Sequence, residues 1–365
     1  MMVVSKQYQI FFDFLRFCIG SESEIPSSLK EADWEELYAI AKKQCLVGVL
    51  FDGIKKLPAE QVGMKMGLLF QWIAKNRMLE KANVRLNDAA IQISEWFRKK
   101  GFRTCILKGQ GNALMYPNPY SRTPGDIDIW VEGGDKRVIS FVRSISPHEK
   151  ACYHHIEFPP YKGVEVEVHY RPSFLLCFWH NRKLQKYYER VKEKQFSHRV
   201  MLGEQGEVAI PTEEFNLIFQ LTHIFTHLMN EGIGLRQLVD YYYVISMLSV
   251  NCEMLTSLQK ELNELGLWKF AGAIMYIMHE VFGMPASRLI VPPNEKYGKF
   301  VLNEVLEAGN FGKHDERNRF GKSQLGHNLQ RVYRDMRLVR YFPAEALCEP
   351  IFRTWHFFWR MKNKK

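Results

Sequence analysis

Asp126 and Asp128 alternate with apolar residues in Asp126-Ile-Asp-Ile-Trp-Val131, and further on Glu165, Glu167 and His169 alternate with valines in Val164-Glu-Val-Glu-Val-His169. Side chains at i and i+2 of a strand share a face about 7 Å apart, so each run presents its polar groups together. Carboxylates held that close need a cation, or one of them must stay protonated. Paired carboxylates with open positions suit Mg²⁺, which keeps several waters and takes one or two protein carboxylates plus substrate phosphates. If the two strands are neighbours, Glu167 or Glu165 completes a three-carboxylate cluster. Such a cluster can hold two metals about 4 Å apart in the geometry of an in-line displacement at phosphorus.

The turn before the aspartates offers the anionic half of that chemistry a seat. Thr104 to Leu107 reads as a short strand, and Lys108-Gly109-Gln110-Gly111 follows it. Glycines let backbone N–H groups approach a phosphate, and the helix expected next points its positive end at it. Arg122, in the Pro-rich connection ahead of Gly125, offers a fork for a bidentate phosphate contact. His169 shares the face of Glu167 and could position an acceptor hydroxyl or tune a metal ligand, and His155 is a second acceptor-site candidate. His223 and His227 stand four apart on a helical pattern, the spacing of a zinc pair, but no glutamate follows the first and no third ligand is evident. His227, Arg236 and Asp240 read as residues that pack the helical part against the sheet and could reach the cleft.

In chain order, Lys108-Gly109, Tyr116-Pro117, Arg122, Gly125-Asp-Ile-Asp128, His154-His155 and Val166-Glu-Val-His169 resemble the bacterial "uncharacterised nucleotidyltransferase" family of the DNA polymerase β-type superfamily. The resemblance extends to Ala41–Phe51 and to Leu217–Ile245, covering roughly residues 35 to 250. It implies a small mixed sheet carrying a glycine turn, a D-x-D strand and a third acidic residue, with Mg²⁺ or Mn²⁺ and a nucleoside triphosphate such as ATP as donor. Two features depart from the superfamily pattern. Lys108-Gly109 stands where Gly-Ser is usual, which puts a point charge near the phosphates. Glu167 stands where aspartate is usual, one methylene longer.

Those strands need elements to position them. Residues 5–100 show helical periodicity with breaks at 20–28 and 57–67, and residues 101–210 hold the strand-like segments. Thr212, with Glu213 and Glu214 behind it, reads as the N-cap of a helical stretch running to about residue 282, with Gly266 and Gly283 as helix ends. The expectation is an α+β fold in three parts: an N-terminal helical region (1–100), a catalytic core (101–210) and a C-terminal helical region with a basic end (211–365).

Composition sets the outer limits. The 365 residues are 46% hydrophobic, enough for a sizeable core, and carry a net +10. From Phe311 onward there are thirteen Lys or Arg against five Asp or Glu, a net +8. Arginines at 331, 334, 337 and 340 recur every three residues, interleaved with aromatics. This end is either a solvated helix face or an electrostatic footprint for a polyanion such as RNA. Seven scattered cysteines without a C-x-x-C argue against a disulfide framework or zinc ribbon. The first twenty residues read as an amphipathic helix rather than a signal peptide, and no apolar run approaches the roughly 18 residues of a membrane span. The expectation is a cytoplasmic, metal-dependent nucleotidyltransferase that moves a nucleoside monophosphate from an NTP to a small-molecule, protein or RNA hydroxyl. Asp126, Asp128 and Glu167 would be catalytic and metal-binding, with Lys108, Gly109, Gly111 and Arg122 on the nucleotide phosphates. The alternative is a catalytically inactive nucleotide-binding or antitoxin-like interaction module.

Overall fold

Apolar residues at helical spacing build most of the chain, and alternating β-branched residues build one small sheet. The computed structural model describes residues 5–363 apart from 59, 61, 62, 205, 249, 250 and 318–323; the Lys364-Lys365 end of the basic region and its Arg319 and Lys322 therefore lie outside the described residues. The chain opens with α1 (Lys6–Ile19), α2 (Trp34–Lys43), α3 (Val47–Ile54) and α4 (Met66–Lys99). The first expected break falls between α1 and α2, and the second falls between α3 and α4, with α4 starting at Met66 and so taking in the last two residues of that break. Gly20 stops α1 by taking a left-handed conformation, φ 80°, that a side chain would disfavour.

The sheet follows: β1 (Thr104–Ile106), a single helical turn α5 (Gln110–Ala113), β2 (Ile127–Val131), α6 (Gly134–Ile145), β3 (His155–Tyr161) and β4 (Val164–His169). Its order is β1-β2-β4-β3. β2 and β4 run parallel at the centre, while β1 and β3 pair antiparallel at the two edges. The fold is α+β with a small mixed sheet.

Alternation gives this sheet two unlike faces. Ile127, Ile129 and Val131 of β2 and Val164, Val166 and Val168 of β4 are buried with Leu86, Ile93 and Phe97 of α4 and Val138 and Val142 of α6. The opposite face carries the polar series. Trp130 seals one end of that face, its ring centroid 4.6 Å from Phe196 and 5.9 Å from Phe215, and Asp128 and Asp126 lie beyond it. The 34-residue α4, about 51 Å long, links the two halves of the core. Its Leu68, Trp72 and Leu79 pack with the N-terminal helices, and its later turns pack on the sheet.

Past the sheet come α7 (Phe178–Ser197), a ribbon of β5 (Arg199–Met201) and β6 (Glu207–Ala209), then α8 (Glu213–Asn230), α9 (Leu235–Met247), α10 (Cys252–Glu264), α11 (Trp268–Glu280), α12 (Glu295–Ala308), α13 (Gln324–Leu338) and α14 (Pro343–Lys362). Thr212 is the N-cap of α8 as expected, but its side chain makes no capping bond; its backbone N–H donates to Gln195 Oε1 at 2.7 Å instead. Gly266 (φ 70°) and Gly283 (φ 67°) lie just past α10 and α11. All seven cysteines are free. Among the described residues no helix is long and apolar enough to cross a membrane.

The basic end is not a uniform solvated face. Arg331 is exposed, but Arg334 is buried and donates to the Asn230 carbonyl, Arg337 pairs with Glu304 at 3.2 Å, and Arg340 lies beyond α13. Arg317 pairs with Glu304 and Asp315 at 2.8 and 2.7 Å. Phe342 at the start of α14 packs on Phe225 and Phe270, with centroids 5.1 and 5.7 Å apart, so these last helices belong to the main core.

Candidate active site

The parallel register of β2 and β4 sets Asp128 directly beside Glu167. Asp126 enters from the residue before β2, on the same face, and one carboxylate oxygen from each of the three lies within 4.8 Å of the others. Glu165, two residues back on β4, is exposed and outside this group. The three carboxylates open into a cavity of about 520 Å³, whose other walls include Lys108, Gly109, Gln220, His223, Arg236 and Lys313.

Two cations answer the carboxylates. Lys108 Nζ donates to Asp128 Oδ1 at 2.9 Å, and His169 Nε2 donates to the same oxygen at 3.0 Å and approaches Glu167 Oε2 at 3.3 Å. Burial alone would depress both cations. The surrounding carboxylates win, raising Lys108 and pushing His169 up to about 9, so the imidazolium also donates from Nδ1 to the Arg171 carbonyl at 3.3 Å. Burial likewise works against ionised Asp128, but Lys108 and His169 hold it well below the usual carboxylate range. Glu167 is lowered too, burial being outweighed by its hydrogen bond from His169. Asp126 goes the other way: the Asp128 charge, then burial, raises it. Asp126 is thus the carboxylate left short of positive charge.

Four more histidines line the same region. His155 Nδ1 lies 3.3 Å from Glu167 Oε2 and 3.0 Å from His154 Nε2. Lys108 Nζ donates to His223 Nε2 at 3.3 Å, and the His223 and His227 rings meet with centroids 4.2 Å apart. Burial holds His154 and His223 well below the ordinary imidazole range and His155 at about 4, so all three are neutral at pH 7. Being neutral, these rings can accept hydrogen bonds, as His223 does from Lys108, where the His169 imidazolium cannot.

The glycine turn departs from its expected form. Gly109 takes φ 61° and ψ −104°, a conformation open to glycine and strained for other residues, and it lines the cavity as expected. α5 behind it is only one turn, too short to aim a helix terminus at an anion. Gly111 faces away, its would-be Cβ 3.1 Å from Ile210.

Arg122 reaches the cavity wall, but its fork is already closed. Nε and Nη2 donate to the two oxygens of Asp240 at 2.8 Å each, and Tyr116 donates its hydroxyl to Asp240 at 2.6 Å. The fork expected to meet a phosphate is held by Asp240 in this structure. Arg236 is the arginine with donor capacity to spare. It lines the cavity, its Nη1 donates to the Thr123 carbonyl at 3.0 Å, and its buried Nε has no hydrogen-bond partner. The sequence reading sets His227, Arg236 and Asp240 against the sheet and toward the cleft, and all three line the cavity.

The donor chemistry fits a divalent cation. Three carboxylates supply hard oxygen ligands from a rigid pair of strands, and Asp126 lacks full compensation. Asp126, Asp128 and Glu167 would hold it, and Lys108 would have to release Asp128 in part.

Comparisons with known proteins fall on this region. The model of a family described as "Uncharacterised nucleotidyltransferase" matches residues 30–283, which contain every residue of the carboxylate and histidine groups. Among curated proteins none matches. A solved structure described as an antigenic nucleotidyltransferase-like protein from Paracoccidioides brasiliensis aligns at 15% identity, covering 57% of this chain and 94% of that one, with a TM-score of 0.33.

Proposed function

Since this chain belongs to the uncharacterised nucleotidyltransferase family, we propose that it transfers a nucleoside monophosphate from a nucleoside triphosphate to an acceptor hydroxyl, releasing pyrophosphate. The observation that carries this reading is the Asp128–Glu167 register, which gathers three carboxylates at the mouth of a cavity that also holds Lys108 and Arg236. A bound Mg²⁺ or Mn²⁺ would neutralise triphosphate charge and acidify the attacking hydroxyl.

The chain's own residues divide the remaining tasks. Gly109 lets the backbone approach the phosphates closely, and Lys108 and Arg236 supply positive charge beside them. The acceptor oxygen forms a bond to the α-phosphorus as the bond to the bridging oxygen breaks, and pyrophosphate carries away the electron pair. The hydroxyl proton passes to Glu167, which is ionised at neutral pH because His169 donates to it. His169, bridging Asp128 and Glu167, fixes the spacing of both. His155 orients Glu167 from its other side. Arg122 and Asp240 act as positioning residues that tie the loop before Asp126 to α9. In this scheme residues 101–210 carry the carboxylates, 211–365 wall the cleft and add Arg236, and 1–100 hold the loop that leads to Asp126.

A second reading rests on Lys108. Its ammonium, 2.9 Å from Asp128, already supplies a positive charge to the carboxylates, as a lysine could in a silent nucleotide-binding or antitoxin-like module. Isothermal titration of the four NTPs with Mg²⁺, on the wild type and on Asp126→Asn/Asp128→Asn, decides. Binding that needs both the metal and the aspartates establishes a metal-dependent nucleotide site, and pyrophosphate release from the bound NTP then separates transfer from a silent site. Binding independent of both supports the silent module, and no binding of any triphosphate removes the nucleotide site.

A further inference from the structure

The last helix has one side that packing accounts for and one that it does not. Glu345, Ala346, Glu349 and Phe352 of α14 are buried against the rest of the chain. Leu347, Ile351, Trp355, Phe358 and Met361 follow one another at steps of three or four residues, which sets them within about 120° on the opposite side of the helix. All five are exposed, Leu347 at 64% and Phe358 at 62%. The helix end that carries them is held in place: Trp359 packs on the sheet-side core, and Arg143 donates to the Asn363 carbonyl. This helix lies beyond the 30–283 stretch that matches the family.

The apolar strip continues onto α7, and its charged surroundings have one sign. Phe178 meets Trp355 with centroids 6.1 Å apart, and Trp179, 75% exposed, lines one groove with both. Exposed Arg182 and Lys186 line the same groove, in which Glu189 is the single acidic residue. Among the described residues of 324–363 the exposed charges are Arg331, Arg340, Arg360 and Lys362, whereas Asp335, Glu345 and Glu349 are all buried. A continuous strip of large apolar side chains with a charged border marks a docking surface, where single exposed ones would not.

We propose that this face of α14 and α7 docks on an anionic lipid surface, with α14 lying along the headgroup boundary and its apolar side turned into the acyl layer. Interfacial helices combine those two features, apolar area to bury and Lys or Arg to meet anionic headgroups. Trp179 and Trp355 share their groove with Arg182 and Lys186, the company that tryptophan keeps at a membrane–water boundary. A second copy fits less well, because an isologous contact would bring the same positive charges together with no exposed acid of α13 or α14, among the described residues, to answer them. A nucleic acid would meet the charge, but Leu347, Ile351 and Met361 offer its bases neither a ring to stack on nor a hydrogen bond. None of these residues lines the carboxylate cavity, so lipid docking and nucleotide transfer can each fail without the other.

The test uses the full-length protein and vesicles of phosphatidylcholine, alone or mixed with phosphatidylglycerol, with cosedimentation as the readout. The wild type is expected to sediment with the mixed vesicles, much less with the neutral ones, and less again as salt is added. Two double variants change only exposed positions and so spare the core. Ile351→Ser/Phe358→Ser should weaken binding to mixed vesicles by about tenfold or more, through lost apolar burial. Arg360→Ala/Lys362→Ala should weaken it by about fivefold for each charge removed. Circular dichroism of both should match the wild type. The proposal is overturned if mixed vesicles are not bound, if neutral vesicles bind equally well, or if either variant binds as the wild type does. Sedimentation equilibrium and oligouridylate titration cover the other occupants. A dimer that Ile351→Ser/Phe358→Ser dissociates, without vesicle binding, gives the face to a second copy. Oligouridylate binding that Arg360→Ala/Lys362→Ala abolishes, without vesicle binding, gives it to a nucleic acid, and either result overturns lipid docking.

Discussion

Asp128 and Glu167 lie side by side on parallel strands, 39 positions apart in sequence, and His169 bonds to both. The consequence is that neither carboxylate can be changed without altering the charge state of the other. Asp128→Asn should reduce transfer on the order of 100-fold or more, the scale of losing one preorganised electrostatic contact. Its circular dichroism should match the wild type, because Lys108 keeps Asp126 and Glu167 as partners. Single-turnover kinetics with the preferred NTP would check this, and undiminished turnover would sink the assignment.

Lys108 makes an opposite pair of effects measurable. Its ammonium stands where it opposes a divalent cation at Asp128. Lys108→Met should therefore tighten Mn²⁺ binding to the nucleotide-free protein, by about tenfold for one removed charge at close range, while weakening triphosphate binding. Calorimetric titration of Mn²⁺ and then of NTP separates the two. Weaker Mn²⁺ binding in the variant would show that Lys108 does not oppose the cation.

The part of this site legible in the sequence is the part with local periodicity. Alternation over five or six residues placed Asp126, Asp128, Glu167 and His169 on a common face, because a strand's period of two needs no tertiary information. The arginine comb misled for the matching reason. A spacing of three on a helix of 3.6 residues per turn rotates about 60° per step, so Arg331 reaches solvent while Arg334 turns inward to Asn230. Arg122 and Asp240 are 118 residues apart, and nothing local to either marks the pair. The histidines converge from β3, β4, α8 and the loop before β3, so the site depends on packing between elements that no periodicity reports.

The buried Arg122–Asp240 pair is a stability element with a clear sign. Asp240→Asn leaves Arg122 and Arg236 close together without the carboxylate, and breaking a buried pair on one side costs about 3–5 kcal/mol. Urea unfolding at pH 7 should show that loss as a lower midpoint with an unchanged slope. An effect below about 1 kcal/mol would place the pair among exposed ion pairs instead.

The same pair sets an acid limit. Burial opposes ionised Asp240, but Arg122 outweighs it and lowers the folded-state value. A depressed carboxylate contributes stability that is fully present above its unfolded value near 3.9 and is lost as pH falls through the lower folded value. Thermal melts of wild type should decline below about pH 4, and the Asp240→Asn difference should shrink over the same range. A difference constant from pH 3 to 7 would remove Asp240 ionisation as the cause.

The loop that carries Arg122 is held from its other side by α3. A Cβ at Gly48 would overlap the Ser121 carbonyl, so the helix and the loop touch backbone to backbone. The same loop is gripped by Asn83, whose Nδ2 donates to the carbonyls of Tyr120 and Arg122 at 2.8 and 2.9 Å, and by Thr123, whose hydroxyl donates to the Cys45 carbonyl at 2.7 Å. Gly48→Ala must push α3 and the loop apart, at a cost of about 1–3 kcal/mol for an overpacked contact. Because the loop leads into Gly125 and Asp126, the shift should also lower turnover more than it raises KM, the mark of a displaced reacting geometry rather than of lost binding. A stable variant with unchanged kinetics would show that the loop does not set the position of Asp126.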